Sequence, residues 1–412
     1  MRCGLGSGRV GRWGRSVGIG GRVVVPGRAH RTGGRRGAGT RLKLGPLTTC
    51  LLLLASSVAS AAPLNLVDST GALHSFTPPS LNDAGFAAFR ASMVTGGTGI
   101  FAANGLGYYD VADSLGPYSS FLSQVEVNDG SVVLFGAFLD VGGGAWGIYV
   151  GPDPIADRIV DKSPPYLGLG LYAISDSGTA VFWASRDTGE FGIYEGNGSV
   201  VVDDTGPFAS FGTWPAINVL DQVAFRATTD AGDLGIFVGP QVTADRLVDT
   251  TGPFAGFGEP LSINDLGTVV FQGTLDTGVT GIFLGPDPLT DTIADSSGPF
   301  AGFSNPAVND QGHVVFTATL DAGGSGLFSG PDPVLDRVIA TGDPLFGSTV
   351  LAVGFFPGGL NDLGQVAFYY YLADGREGIA LTTVPEPSMS VALAASIVVL
   401  AATIGRRGRR SV

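Results

Sequence analysis

Seven times along the chain an Asn or Ser opens a short polar turn and a Phe follows seven residues later: Asn82/Phe89, Asn128/Phe135, Ser175/Phe182, Asn218/Phe225, Asn264/Phe271, Asn309/Phe316 and Asn361/Phe368. The intervals between anchors are 46, 47, 43, 46, 45 and 52 residues. That period suits a four-stranded propeller blade, and nothing between the anchors carries helical periodicity. A repeat of this kind restricts the chain to folds in which each unit buries its faces against its neighbours.

The best anchors read Asn-Asp-x-Gly, as in Asn82-Asp83-Ala84-Gly85 and Asn264-Asp265-Leu266-Gly267. This is hairpin chemistry: Asn or Ser at the first place of a type I turn bonds the local backbone, and Gly at the fourth accepts positive φ. Asp221 takes the glycine place in one copy, and Asn128-Asp129-Gly130 moves its Gly by one. Three apolar residues then run consecutively, as in Val269-Val270-Phe271 and Val314-Val315-Phe316. Such a run fits a strand covered on both faces, hence sheets stacked face to face. The ninth place after the anchor is small in six copies, whereas Tyr370 occupies it in the last. A second strand opens at Gly99, Gly147, Gly192, Gly235, Gly281, Gly326 and Gly378. A third follows, as at Arg158 to Asp161, then a Gly-Pro-Phe-Ala-Gly-Phe turn at 252–257 and 298–303, and a fourth segment leads into the next anchor. The expected fold is an all-β, seven-bladed β-propeller of about 46-residue four-stranded repeats over residues 62–383. An open β-solenoid is the competing architecture, and the sequence leaves the phase of the blades open.

Charge is segregated. Of 23 basic residues, eleven lie within residues 1–46 and four within the last seven, while residues 63–387 hold eight against all 36 carboxylates, a net of −28. An acidic body repels phosphate backbones, so nucleic acid is not an expected partner. Cys3 and Cys50 both precede the expected processing point, leaving a mature chain without cysteine.

Residues 1–61 read as a basic extension and signal peptide. The apolar stretch 47–62 ends in small residues, placing signal-peptidase cleavage between Ala61 and Ala62. At the other end stand Val384-Pro385-Glu386-Pro387, eighteen uncharged residues from Ser388 to Gly405, and an Arg cluster at 406–410. Eighteen helical residues would measure roughly 27 Å, enough for a transmembrane helix across a bilayer core, with the arginines as a cytoplasmic stop. This tail, 384–412, resembles the PEP-CTERM sorting signal of Gram-negative bacteria that make extracellular polysaccharide. The resemblance implies recognition of Pro-Glu-Pro by an exosortase, removal of the helix, passage through an inner-membrane intermediate, and delivery to the cell surface or medium. The N-x-x-G-x-x-x-F unit likewise resembles tandem repeats of bacterial secreted proteins, a likeness that implies architecture and export but no catalytic residues.

No catalytic or cofactor-binding residue stands out. The mature region has only His74 and His313. His313, four places after its anchor, reads as a solvent-facing strand residue. No nucleophile elbow, P-loop or zinc-protease motif is present. The Gly-Pro-Asp-Pro loops offer calcium candidates, Asp153 with Asp157, Asp287 with Asp291, and Asp332 with Asp336, although a fourth copy has Gln241 where the first Asp would stand. Trp146, Trp183 and Trp214 are either blade core or sugar-stacking rim residues. The sequence therefore points to an exported, exosortase-processed, non-enzymatic surface or matrix protein with a binding or structural role. Its partners would be signal peptidase and exosortase during export, then extracellular polysaccharide or surface proteins. The alternative is a secreted propeller hydrolase or lyase acting on matrix polysaccharide through paired carboxylates.

Overall fold

The computed structural model describes residues 62–140 and 146–385. The described residues form seven antiparallel sheets of four principal strands, with no α-helix among them and a single 3-10 turn at Pro357–Gly359. The fifth blade shows the plan. Phe254–Phe257 and Ser262–Ile263 together make the inner strand, Val269–Leu275 pairs with both, Thr280–Phe283 follows, and Thr292–Asp295 is outermost. The segment before each anchor is thus the innermost strand, and the anchor turn joins it to the second.

The seventh blade fixes the phase that the sequence left open. Its inner strand Ser348–Gly354 pairs with Gln365–Leu372, which pairs with Glu377–Thr383, and the outer strand is Leu64–Asp68 from the other end of the described chain. Leu64 lies opposite Leu381 and Asp68 opposite Gly378. Pairing the two ends within one sheet closes the ring and excludes the open solenoid.

The consecutive apolar runs do what a two-sided strand requires. Val269, Val270 and Phe271 are all buried, and alternate residues serve opposite faces: Phe271 joins the cluster between the fourth and fifth blades, Val270 the one shared with the sixth. The centres of the first six blades are aromatic knots. In the fifth, Phe254 meets Phe271 and Phe283 with ring centroids 5.8 and 5.0 Å apart, edge to face. The Gly-Pro-Phe-Ala-Gly-Phe segment is therefore only partly a turn. Its Phe-Ala-Gly-Phe opens the inner strand, and both phenylalanines of each copy, Phe254 and Phe257 or Phe300 and Phe303, are buried.

Counted from the inner strand, the strand that the sequence places second after the anchor is the third of its blade, and the glycine that begins it has a steric cause. A Cβ on Gly281 would lie 2.7 Å from the Ala294 carbonyl oxygen and 3.1 Å from the Phe283 ring, which folds back over it. In the last blade that aromatic is missing, since Ala380 replaces it, and Tyr370 takes the space. The Tyr370 hydroxyl lies 2.8 Å from where a Gly378 Cβ would be and bonds Asn65 Oδ1 at 3.1 Å. Tyr370 is thus a swap of large and small across the same pair of strands. In the second anchor the left-handed residue is Ser131, φ 61°, not Gly130. The basic extension, the signal peptide with its Ala61–Ala62 junction, and the tail from Glu386 lie outside or at the edge of the described residues; among those described no helix is long and apolar enough to cross a membrane.

Candidate functional site: an acidic ring at the channel mouth

The anchors meet around the central channel and bond one another. Each Asn uses Oδ1 locally, as when Thr268 N–H donates to Asn264 at 2.8 Å, and spends Nδ2 on the next blade. Asn82 donates to the Asn128 carbonyl at 3.2 Å, Asn128 to Ser175 at 3.0 Å, Asn218 to Asn264 at 3.0 Å, Asn264 to Asn309 at 2.9 Å, Asn309 to Asn361 at 2.9 Å, and Asn361 back to Asn82 at 3.1 Å. The circuit is broken only at Ser175, whose short hydroxyl donates instead to Asp221 Oδ1 at 3.1 Å.

A second circuit runs one residue further on. The backbone N–H of Asp83 donates to the Asp129 carboxylate at 2.8 Å, Asp129 to Asp176 at 2.6 Å, Val219 to Asp265 at 2.8 Å, Asp265 to Asp310 at 2.8 Å, Asp310 to Asp362 at 2.7 Å, and Asp362 to Asp83 at 2.9 Å. Six carboxylates therefore stand in one ring, with Val219 in the seventh place. Hairpin chemistry does not need Asp at the second turn position, so its recurrence there in six of seven copies was the sequence signal for this ring.

The ring lines the channel together with Ser80, Glu126 and Trp214, and among the described residues no Lys or Arg lines it. Burial, followed by repulsion from other ring members, raises the carboxyls of Asp83, Asp176 and Asp265 and lifts Asp362 to about 6. Glu126, on the inner strand Tyr118–Val127, is pushed up to about 7 by burial, against hydrogen bonds from Gln124 at 3.2 Å and Ser80 at 3.4 Å. Asp265, Asp310 and Asp362 bring carboxylate oxygens within 4.8 Å of one another, a spacing that could hold a metal ion. In each, one oxygen already accepts a backbone N–H.

The calcium candidates from the loops lie elsewhere, between third and outer strands. Asp157 accepts the Asp153 N–H at 2.9 Å, while Asp153 Oδ1 accepts Ile155 N–H at 2.8 Å and Ala156 N–H at 3.0 Å. Those two backbone donors hold Asp153 below the usual carboxylate range, as Leu335 and Val334 do for Asp332. Asp287 with Asp291 and Asp332 with Asp336 repeat the bond at 2.9 Å. The Gln241 copy loses nothing essential to the turn, because Gln241 donates its backbone N–H to Asp245 at 2.8 Å. The carboxylates thus serve as local loop caps.

His313 is not a solvent-facing strand residue. It is half-buried before Val314–Leu320, its N–H donates to Asn309 Oδ1 at 2.8 Å, and its ring lies 3.2 Å from where a Gly364 Cβ would be. His74 sits apart, its Nδ1 3.0 Å from Ser75 Oγ. Trp146 packs half-buried against the core between the second and third blades, and Trp183 is half-buried on Ala180–Arg186. Among the described tryptophans, Trp214, its ring 5.8 Å from Phe356, is the one that faces the channel.

Residues 243–358 and 356–391 match the model of a family of unknown function (DUF7453). No curated protein matches the chain. Among solved structures, BBS1N in complex with ARL6DN is similar at 10% identity, over 79% of this chain and 98% of that one, with a TM-score of 0.38. YCF48 bound to D1 peptide gives 13%, 79%, 96% and 0.38, and YCF48 from Cyanidioschyzon merolae gives 15%, 79%, 99% and 0.39. The blade count rests on the strand pairing described above.

Proposed function

We propose that this protein is an exported, non-enzymatic β-propeller with a binding or structural role at the cell surface or in an extracellular polysaccharide matrix. The observation that carries the non-enzymatic reading is the equivalence of the six ring aspartates. Acid–base hydrolysis of a glycoside needs two carboxyls in unlike environments, one held protonated and one ionised. Here the ring members occupy matching turns, bond the same backbone group, and every shift resolved among them runs upward from the same leading cause.

Export rests on the sequence. Residues 1–61 supply the basic extension and signal peptide, and 384–412 the PEP-CTERM tail, with signal peptidase and exosortase as transient partners. Mass spectrometry of the mature protein is expected to find termini at Ala62 and near Pro387. Retention by native matrix, with no release of reducing ends or unsaturated sugars, supports the binding role. A hydrolase or lyase remains the second reading, favoured by Glu126 and Asp362 facing one channel with raised carboxyls. Polysaccharide cleavage that Asp362→Asn abolishes would establish that reading and remove the first.

A further inference from the structure

In an antiparallel blade the first-to-second and third-to-outer connections lie at the same end of the sheet. All anchor turns and all Gly-Pro-Asp-Pro loops therefore share one face of the propeller. Direct bonds confirm the juxtaposition, since Gly239 N–H donates to the Val223 carbonyl at 3.1 Å and Gly196 N–H to that of Ala180 at 2.8 Å. Of the eighteen exposed large apolar side chains among the described residues, thirteen lie on this face. The tips include Leu106, Ile155, Leu289 and Val334, exposed by 97%, 82%, 91% and 72%.

Their distribution around the ring is uneven. The outer loops of the first, second, fifth and sixth blades carry Leu106, Ile155, Leu289 and Val334, whereas the third carries Asn197-Gly198 and the fourth Gln241. The seventh blade has no such loop, because there Glu377–Thr383 ends and the chain leaves. The apolar tips thus flank the exit on both sides, and the polar loops stand across the ring from it.

The exit is also tight. Val384 is only 8% exposed, belongs to the core of the last blade, and donates its N–H to the Gly364 carbonyl at 2.8 Å. Between Val384 and Ser388, where the apolar stretch begins, stand three residues, so the two Cα atoms are at most roughly 14 Å apart when the chain is fully extended.

We infer that this face is the membrane-contacting face of the inner-membrane intermediate, before residues 388–405 are removed, with the apolar tips of the first, second, fifth and sixth blades resting in the headgroup layer of the bilayer that holds those residues. The inference rests on reading those residues as a span. So short a connection leaves the folded body no room to stand clear of the lipid, and exposed Leu and Ile gain from the interface what they lack in water.

The absence of other cysteines makes the test direct. In the full chain carrying Cys3→Ser and Cys50→Ser, the variants Ile155→Cys, Leu289→Cys, Asn197→Cys and Leu115→Cys receive an environment-sensitive dye. They are then reconstituted into phosphatidylethanolamine and phosphatidylcholine bilayers with nitroxide-labelled lipid. The expected result is blue-shifted, quenched emission at 155 and 289, with unshifted, unquenched emission at 197, across the ring, and at 115, on the opposite face. Equal quenching at all four positions in a chain that floats with the bilayer overturns this inference alone. A chain that does not float with the bilayer overturns the span reading as well.

Discussion

At the level of single residues, the anchor Asn is the most heavily committed side chain, holding its own turn with one atom and the neighbouring blade with the other. Asn264→Ala removes both bonds and is expected to cost about 2–3 kcal/mol, read as a lower denaturant midpoint at unchanged slope. Glu126 sets a pH dependence. Its folded carboxyl is raised to about 7 from 4.5, so between those values the folded state holds the proton more often. Its contribution to stability is therefore fully present below pH 4.5 and falls as pH rises to 7. Asp362 adds the same trend between 3.8 and about 6. Glu126→Gln is expected to stabilise by about 1–3 kcal/mol at pH 8 and little at pH 4.5, flattening the melting temperature against pH. The local half of this chemistry was legible in Asn-Asp-x-Gly, since turn geometry is a property of neighbouring residues. The other half was not: Nδ2 of Asn264 reaches a carbonyl 45 residues away, and no local rule names that partner.

At the level of the strand, the repeat told its own story because its period is steric. A glycine was readable at every third-strand start, but its cause, an outer-strand carbonyl oxygen pressed against the place of its Cβ, with an aromatic folded over it in most blades, needs the packed sheet. Phe271→Ala empties the centre of a blade and is expected to cost about 3–5 kcal/mol. Gly281→Ala drives a methyl toward the Ala294 carbonyl and is expected to cost about 1–3 kcal/mol despite adding apolar surface. Chemical denaturation of both variants checks the pair, and a neutral Gly281→Ala would remove the steric explanation. Gly-Pro-Phe-Ala-Gly-Phe was misread as wholly a turn because Gly-Pro dominates its local signal. Two phenylalanines three apart, both buried, are the mark of a strand bent by the register shift between Phe254 and Gly256.

For the whole molecule, closure is the controlling event. Deleting residues through Asp68 strips the outer strand from Glu377–Thr383 and exposes its edge. The truncated protein is expected to melt lower and to self-associate with concentration, which size-exclusion chromatography and thermal melts would register. Blade number was readable from the period, whereas the phase was not, because either assignment uses every strand once. The Leu64–Leu381 pairing decides it.

That pairing has a temporal meaning. A ribosome makes the outer strand of the seventh blade first and the strand it must join last, so the opening segment waits, edge unsatisfied, through the making of six complete blades. A chain cut short anywhere before Thr383 leaves that early segment with an incomplete partner. Closure of the ring thereby reports that synthesis has passed Thr383: only then can the waiting edge of Leu64–Asp68 be covered.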